Sequence, residues 1–98
     1  MIKTIISWIT GHHVYKDVWS PVIGEELRCR PYRGNARDPT AIGVFLGELL
    51  VGHVPREHKE EIWEAVRRGK IVTATVTGRR ENTRRRGLEI PARFSYPL

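Results

Sequence analysis

The chain predicts a mainly β domain of the α+β class, six strands with one helix, and three observations carry that prediction. Segments dense in β-branched and aromatic residues recur along it, each bounded by Gly, Pro, Asn or Asp. A single stretch, from Pro55 to Arg68, has helix punctuation: Pro in the first turn, acids near the amino end, Gly just beyond the last turn. The 98 residues suffice for one core and not two, with about two-thirds of the unfolded surface buried on folding. Residues 1–98 are therefore read as a single domain.

In order, Ile2, Ile5, Ile6, Trp8 and Ile9 are too dense in strand formers for a surface helix, and no cap precedes them, so a strand is expected over 2–10. Gly11 ends it. Residues 11–21 read as an irregular segment of aromatics among polar groups, in which Tyr15 and Trp19 are either core plugs or stacking surfaces. Alternation over Glu26-Leu27-Arg28-Cys29-Arg30 predicts a second, half-exposed strand with Leu27 and Cys29 inward. Gly34-Asn35 and Asp38-Pro39 are turn chemistry. Ala41–Leu46 and Leu49–Val54 then pair as a hairpin across Gly47-Glu48.

The helix over 55–68 carries a narrow apolar stripe of Ile62, Trp63 and Val66 and ends at Gly69. Residues 71–77 form the clearest strand. Residues 78–87 contain no apolar side chain and read as a basic hairpin loop. Leu88–Pro91 and Arg93–Tyr96 make the closing strand, with Pro91 implying an edge or a bulge.

Composition narrows the function. The net charge is +6, and its placement matters more than its size: residues 1–66 hold 8 Lys/Arg against 9 Asp/Glu, residues 67–98 hold 9 against 2. Such asymmetry is the footprint of a polyanionic partner, nucleic acid first. Arginines packed in one loop repel each other, and phosphates would relieve that repulsion while releasing counterions. No run reaches the roughly 20 apolar residues of a membrane span, so a soluble intracellular domain with no membrane partner is expected. Cys29 is the lone cysteine, which rules out an internal disulfide and a thiolate-rich zinc site. His12 and His13 lack a clear carboxylate or thiolate partner, so no metal and no cofactor is expected.

The candidate site lies at one end of the central hairpin. A polar loop bearing Asn35 and Asp38 feeds the strand 41–46, and the returning strand ends at His53, Pro55 and Arg56. Amide, carboxylate, imidazole and guanidinium can meet there. His53 and Asp38 could be arranged as a base and its orienter, but no nucleophile in a recognisable context, carboxylate cluster or Gly-rich phosphate loop accompanies them, so the chain is not expected to be an enzyme.

With Asn35, Asp38, Ala41, Ile42 and Val44 followed by Val51-Gly52-His53-Val54-Pro55-Arg56, the sequence resembles the HIRAN domain over most of its length, from about Ile5 to Tyr96. Gly11–Tyr15 falls where the family's first strand ends, and Val76-Thr77-Gly78 and Leu88–Pro91 resemble the closing strands of stand-alone HIRAN-like proteins. The resemblance implies a small OB/SH3-like β-barrel with a helix, a domain type often joined to remodelling helicases. It thus implies a remodelling or repair complex as context, and a nuclear location in a eukaryote. The best understood example captures the free 3′-hydroxyl end of single-stranded DNA.

Carried over by residue, the resemblance implies that Asp38 accepts a hydrogen bond from the terminal hydroxyl and that Asn35 shapes its loop. His53 and Arg56 would face the terminal phosphate and adjoining backbone. Tyr15 matches one of two stacking aromatics; Val14 stands where the other belongs, and His13 where the DNA-binding example has an arginine. Tyr96 is a candidate replacement stacking surface.

The expectation is a monomeric, non-catalytic module for single-stranded DNA that prefers a free 3′-hydroxyl end. A general RNA or DNA binder working through Arg79, Arg80, Arg84, Arg85 and Arg86, or a protein-interaction module, are the alternatives.

Overall fold

The computed structural model describes residues 1–32, 40–83 and 87–98, without the side chains of His13, Asn82 and Thr83. Six strands form one antiparallel sheet in the order β1-β7-β5-β2-β3-β4. Their ranges are Ile2–Ile9 (β1), Glu26–Pro31 (β2), Ile42–Leu46 (β3), Leu49–His53 (β4), Val72–Val76 (β5) and Gly87–Pro97 (β7). The short β6, Glu81–Thr83, pairs only with the start of β7 and makes a hairpin arm. A single helical turn, α1 (His12–Tyr15), follows β1. A 3-10 turn at Arg56–His58 leads into the helix α2 (Lys59–Arg67). No described helix is long and apolar enough to cross a membrane.

The alternation of each strand decides its inner face. Ile5, Ser7 and Ile9 of β1, Leu27 and Cys29 of β2, Val72, Ala74 and Val76 of β5, and Ile90, Ala92, Phe94 and Tyr96 of β7 are all buried. Ile42, Val44 and Val51 continue that face across the central hairpin. Helix α2 lays Ile62 and Ala65 on it, while Trp63 and Val66 of the expected stripe pack at its margin. Burial also settles Trp19, a core side chain whose Nε1 donates to Glu25 Oε1 at 3.0 Å, and Cys29 is buried as its inward alternation predicts. Its thiol is pushed up to about 12 by that burial, against a small opposing effect of Arg28.

Two expectations need correction, and one on Pro91 holds. Residues 11–21 are not irregular throughout, because Gly11, at φ 78°, turns the chain into α1. Pro91 marks a bulge, as its residue type implies: between the pairs Val76↔Ala92 and Glu81↔Glu89, residues 77–80 stand opposite only Ile90 and Pro91, while β1 pairs on the other side. Its carbonyl accepts from Thr77 N–H at 2.9 Å, one residue past the last β5 pair, Val76↔Ala92. The missing N–H therefore falls on the same side, where the β5 ladder has already ended.

The second correction concerns the barrel. Closure would require β1 and β4 to pair along their lengths, yet among the described residues they meet at one bridge. Thr10 N–H donates to His53 O and His53 N–H to Thr10 O, both at 2.9 Å. The sheet curls until its edges touch and is not closed by a ladder. A register shift between Val44 and Phe45 accompanies the bend in the β3–β4 hairpin. Gly52 permits the contact, since a Cβ there would fall on Ile9 Cγ2 and lie 2.9 Å from the Thr10 carbonyl oxygen.

Candidate nucleic-acid interface

His53 closes β4 and the bridge at once. Its carbonyl also accepts from the Thr10 hydroxyl at 3.1 Å, so the backbone beneath the imidazole is held by three hydrogen bonds. The turn at Gly11 then folds α1 back over this point, with a Cβ at Gly11 lying only 3.2 Å from His53 Cδ2. That turn brings the Tyr15 hydroxyl to 3.3 Å from His53 Nε2. Tyr32 N–H donates to Ala41 O at 2.9 Å and sets the Tyr32 ring 5.6 Å from the imidazole. Tyr15 and Tyr32 thus both lie beside His53, at ring separations of 6.0 and 5.6 Å, and all three are partly exposed.

Electrostatics follow from this packing. Burial lowers the pKa of His53, because the charged imidazolium loses solvent without gaining a carboxylate among the described residues. The ring is neutral at pH 7 and ready to exchange a hydrogen bond with Tyr15. Burial raises the Tyr15 pKa, with Tyr32 a lesser cause, so the Tyr15 phenol stays protonated. Two aromatic faces beside an imidazole can stack on a flat ring and exchange hydrogen bonds with it.

The predicted residues distribute unevenly. Tyr15 and His53 come together as expected. Arg56 is exposed, three residues beyond His53, at the start of the 3-10 turn. Asn35 and Asp38 lie outside the described residues, in the segment that leaves Tyr32 and returns at Thr40. The backbone position of His13 is in α1, while its side chain is not among those described, and Val14 beside it is exposed. Arg79 and Arg80 are exposed between β5 and β6, whereas Arg84, Arg85 and Arg86 lie outside the described residues. The Ile9↔Ile90 pairing puts the start of β7, and so the base of that arm, at the same end of the sheet as Thr10.

Tyr96 must be withdrawn from the site. It pairs with Lys3 at the far end of β7, about 20 Å along the strand from Ile90 at strand rise. Its ring is buried on the core side, and its hydroxyl donates to Glu61 Oε1 at 2.9 Å.

Tyr32 and Thr10 are the residues that sequence reasoning missed. Tyr32 had a signal, being the last aromatic before the Asn35–Asp38 loop; Thr10 had none, because its role depends on the contact between sheet edges.

The comparisons with known proteins agree with this architecture. The structure superposes on the HIRAN domain of human HLTF with a TM-score of 0.74, covering 95% of this chain and 74% of that one at 15% identity. This chain has the HIRAN fold. A structural-genomics protein from Lactobacillus plantarum matches with a TM-score of 0.62, covering 99% of this chain and 100% of that one, also at 15% identity. No family model matches the sequence, and no curated protein does. At this identity the likeness is one of fold, and the HIRAN resemblance read from the sequence is matched at that level.

Proposed function

We propose that the protein is a non-catalytic module for single-stranded nucleic acid, DNA in the first instance, which takes a free 3′-hydroxyl end at the His53 corner. The observation that carries this reading is the pair of tyrosines beside a neutral His53 at the base of the Asn35–Asp38 loop. The HIRAN fold and the basic final third of the chain support it.

The division of labour is chemical. A strand end differs from an internal nucleotide by one hydroxyl. A carboxylate accepting from that hydroxyl rejects both a continuing chain and a terminal phosphate by sterics and repulsion, so selectivity belongs to Asp38. Tyr15 supplies a stacking face, worth roughly 1–3 kcal/mol per base. Arg56 and His53 serve the terminal phosphodiester. Arg79, Arg80 and the arginines that follow add affinity without base preference, since phosphate contacts position and do not specify. A remodelling or repair assembly is the setting in which such a module would present a strand end.

The test is a fluorescence titration with one labelled oligonucleotide ending in a 3′-hydroxyl and its twin ending in a 3′-phosphate. The intact protein should prefer the hydroxyl, and Asp38→Ala should bind both alike. Equal binding of the two ends by the intact protein refutes end capture and leaves a general basic binder.

A further inference from the structure

The outward side chains of β2 lead away from the corner in a line. Leu27 and Cys29 point into the core, so Glu26, Arg28, Arg30 and Tyr32 share the opposite face. Tyr32 belongs to the corner. Arg30 is opposite Gly43, which is itself opposite His53, so the corner and Arg30 are two strand spacings apart, about 10 Å. Gly43 contributes no side chain, and the space above it is taken by Leu50 and the edge of Phe45, which lie 2.6 and 2.8 Å from where a Cβ would stand. Beyond it the Arg30 guanidinium sits over the Phe45 ring at 4.3 Å from its centroid. Its Nη2 donates to Gly47 O at 2.5 Å, so the guanidinium is held in place from the turn. The line then opens into a groove of about 360 Å³ whose lining includes Arg28, Arg30, Phe45 and Thr73.

From this geometry we infer that the outer face of β2 and β3 is a track for the nucleotides that precede the strand terminus, running from Tyr32 across Arg30 and Phe45 to Arg28. The inference rests on the proposed function, because it needs a strand end at the His53 corner. The chemistry fits a single strand: a stacked guanidinium and aromatic ring present a flat surface to a base, and Arg28 offers an exposed cation to the backbone. Among the described residues the acid paired with Arg30 is Glu48, 3.7 Å away with its side chain 94% exposed, a pair that solvent screens and a phosphate can displace. Glu26 lies past Arg28 and places a negative charge at the far end. The track is therefore short, at the lower end of the roughly 4–16 nucleotides that an OB-like domain covers.

The experiment is an anisotropy titration of the intact chain with 5′-labelled oligothymidylates of about 2, about 4 and about 8 nucleotides, all with free 3′-hydroxyl ends, at two salt concentrations. The intact protein should gain affinity from the shortest to the middle length and little thereafter. Arg28→Ala, at an exposed position, should lose that gain, about tenfold for one charge-assisted hydrogen bond, while the shortest oligomer binds as before. The logarithmic salt slope for the longest oligomer should fall by about 0.7. Phe45→Leu should reduce the same gain without changing the slope. If Arg28→Ala weakens all lengths equally, or none, the track is wrong while end capture stands. An intact protein that binds without gaining from length also overturns the track alone. No binding at any length overturns the function and the track together.

Discussion

His53 is where the chain's chemistry and its folding coincide. The residue closes the contact between β1 and β4 through its backbone, and its partly buried ring lies beside Tyr15 and Tyr32. Burial lowers its pKa from the ordinary 6.5, so the unfolded chain binds the proton more readily than the folded one. The stabilisation from keeping it neutral is complete above pH 6.5 and is lost as pH falls through the window below that value, ending at the folded pKa. Urea midpoints at about pH 7.5 and about pH 5.5 should show the intact protein weaker at the lower value, with a smaller difference in His53→Gln. A bound phosphate reverses the preference by favouring the imidazolium. Oligonucleotide affinity should accordingly tighten on acidification over the same window, and His53→Gln should lose that dependence.

Among the elements, β4 has the most demanding task. Its inward Val51 fills the core, Gly52 lets its backbone reach Thr10, and His53 presents the site, all within three residues. Gly52→Ala forces a methyl group between Ile9 and the Thr10 carbonyl, so the β1–β4 contact must open or the core must shift. The expected cost is about 1–3 kcal/mol, readable in a thermal melt as a fall of roughly 4–8 °C per kcal/mol. Because His53 moves with that backbone, the same variant should also weaken oligonucleotide binding. Helix α2 contrasts with this. It covers the core with Ile62 and Ala65, and its outward Glu64 pairs with Arg67 at 2.6 Å and Arg68 at 3.0 Å as an ordinary solvated face.

At the scale of the whole molecule, the two ends of the sheet differ, and the proposed binding corner lies at one of them. Tyr96, Glu61 and Lys3 meet at one end of β1 and β7, while Thr10, α1, His53 and the base of the β6–β7 arm gather at the other. Exposed Arg79 and Arg80 enter that arm, so positive charge is concentrated near the proposed strand terminus. Affinity should fall steeply with salt. Replacing Arg79 and Arg80 by Gln should reduce the logarithmic salt slope by about 0.7 for each phosphate that is no longer neutralised. The preference for a 3′-hydroxyl over a 3′-phosphate should be unchanged, since it is assigned to Asp38.

The strands were legible because alternation and β-branching report which side of a strand is buried, and that is a local property of Leu27 and Cys29 or of Val72, Ala74 and Val76. The helix was legible from Pro55 and Gly69 for the same reason, and the corner partly so, because Tyr15 and His53 belong to residue types with distinctive chemistry. Which sheet edges touch, that Pro91 sits past a ladder's end, and that Tyr96 is at the wrong end for stacking depend on strand order and register. Those are settled by how several segments bury one another, and they placed Tyr32 and Thr10 beside His53. Local sequence carries the choice of element and inner face, and tertiary packing alone decides which side chains, distant along the chain, come to share a surface.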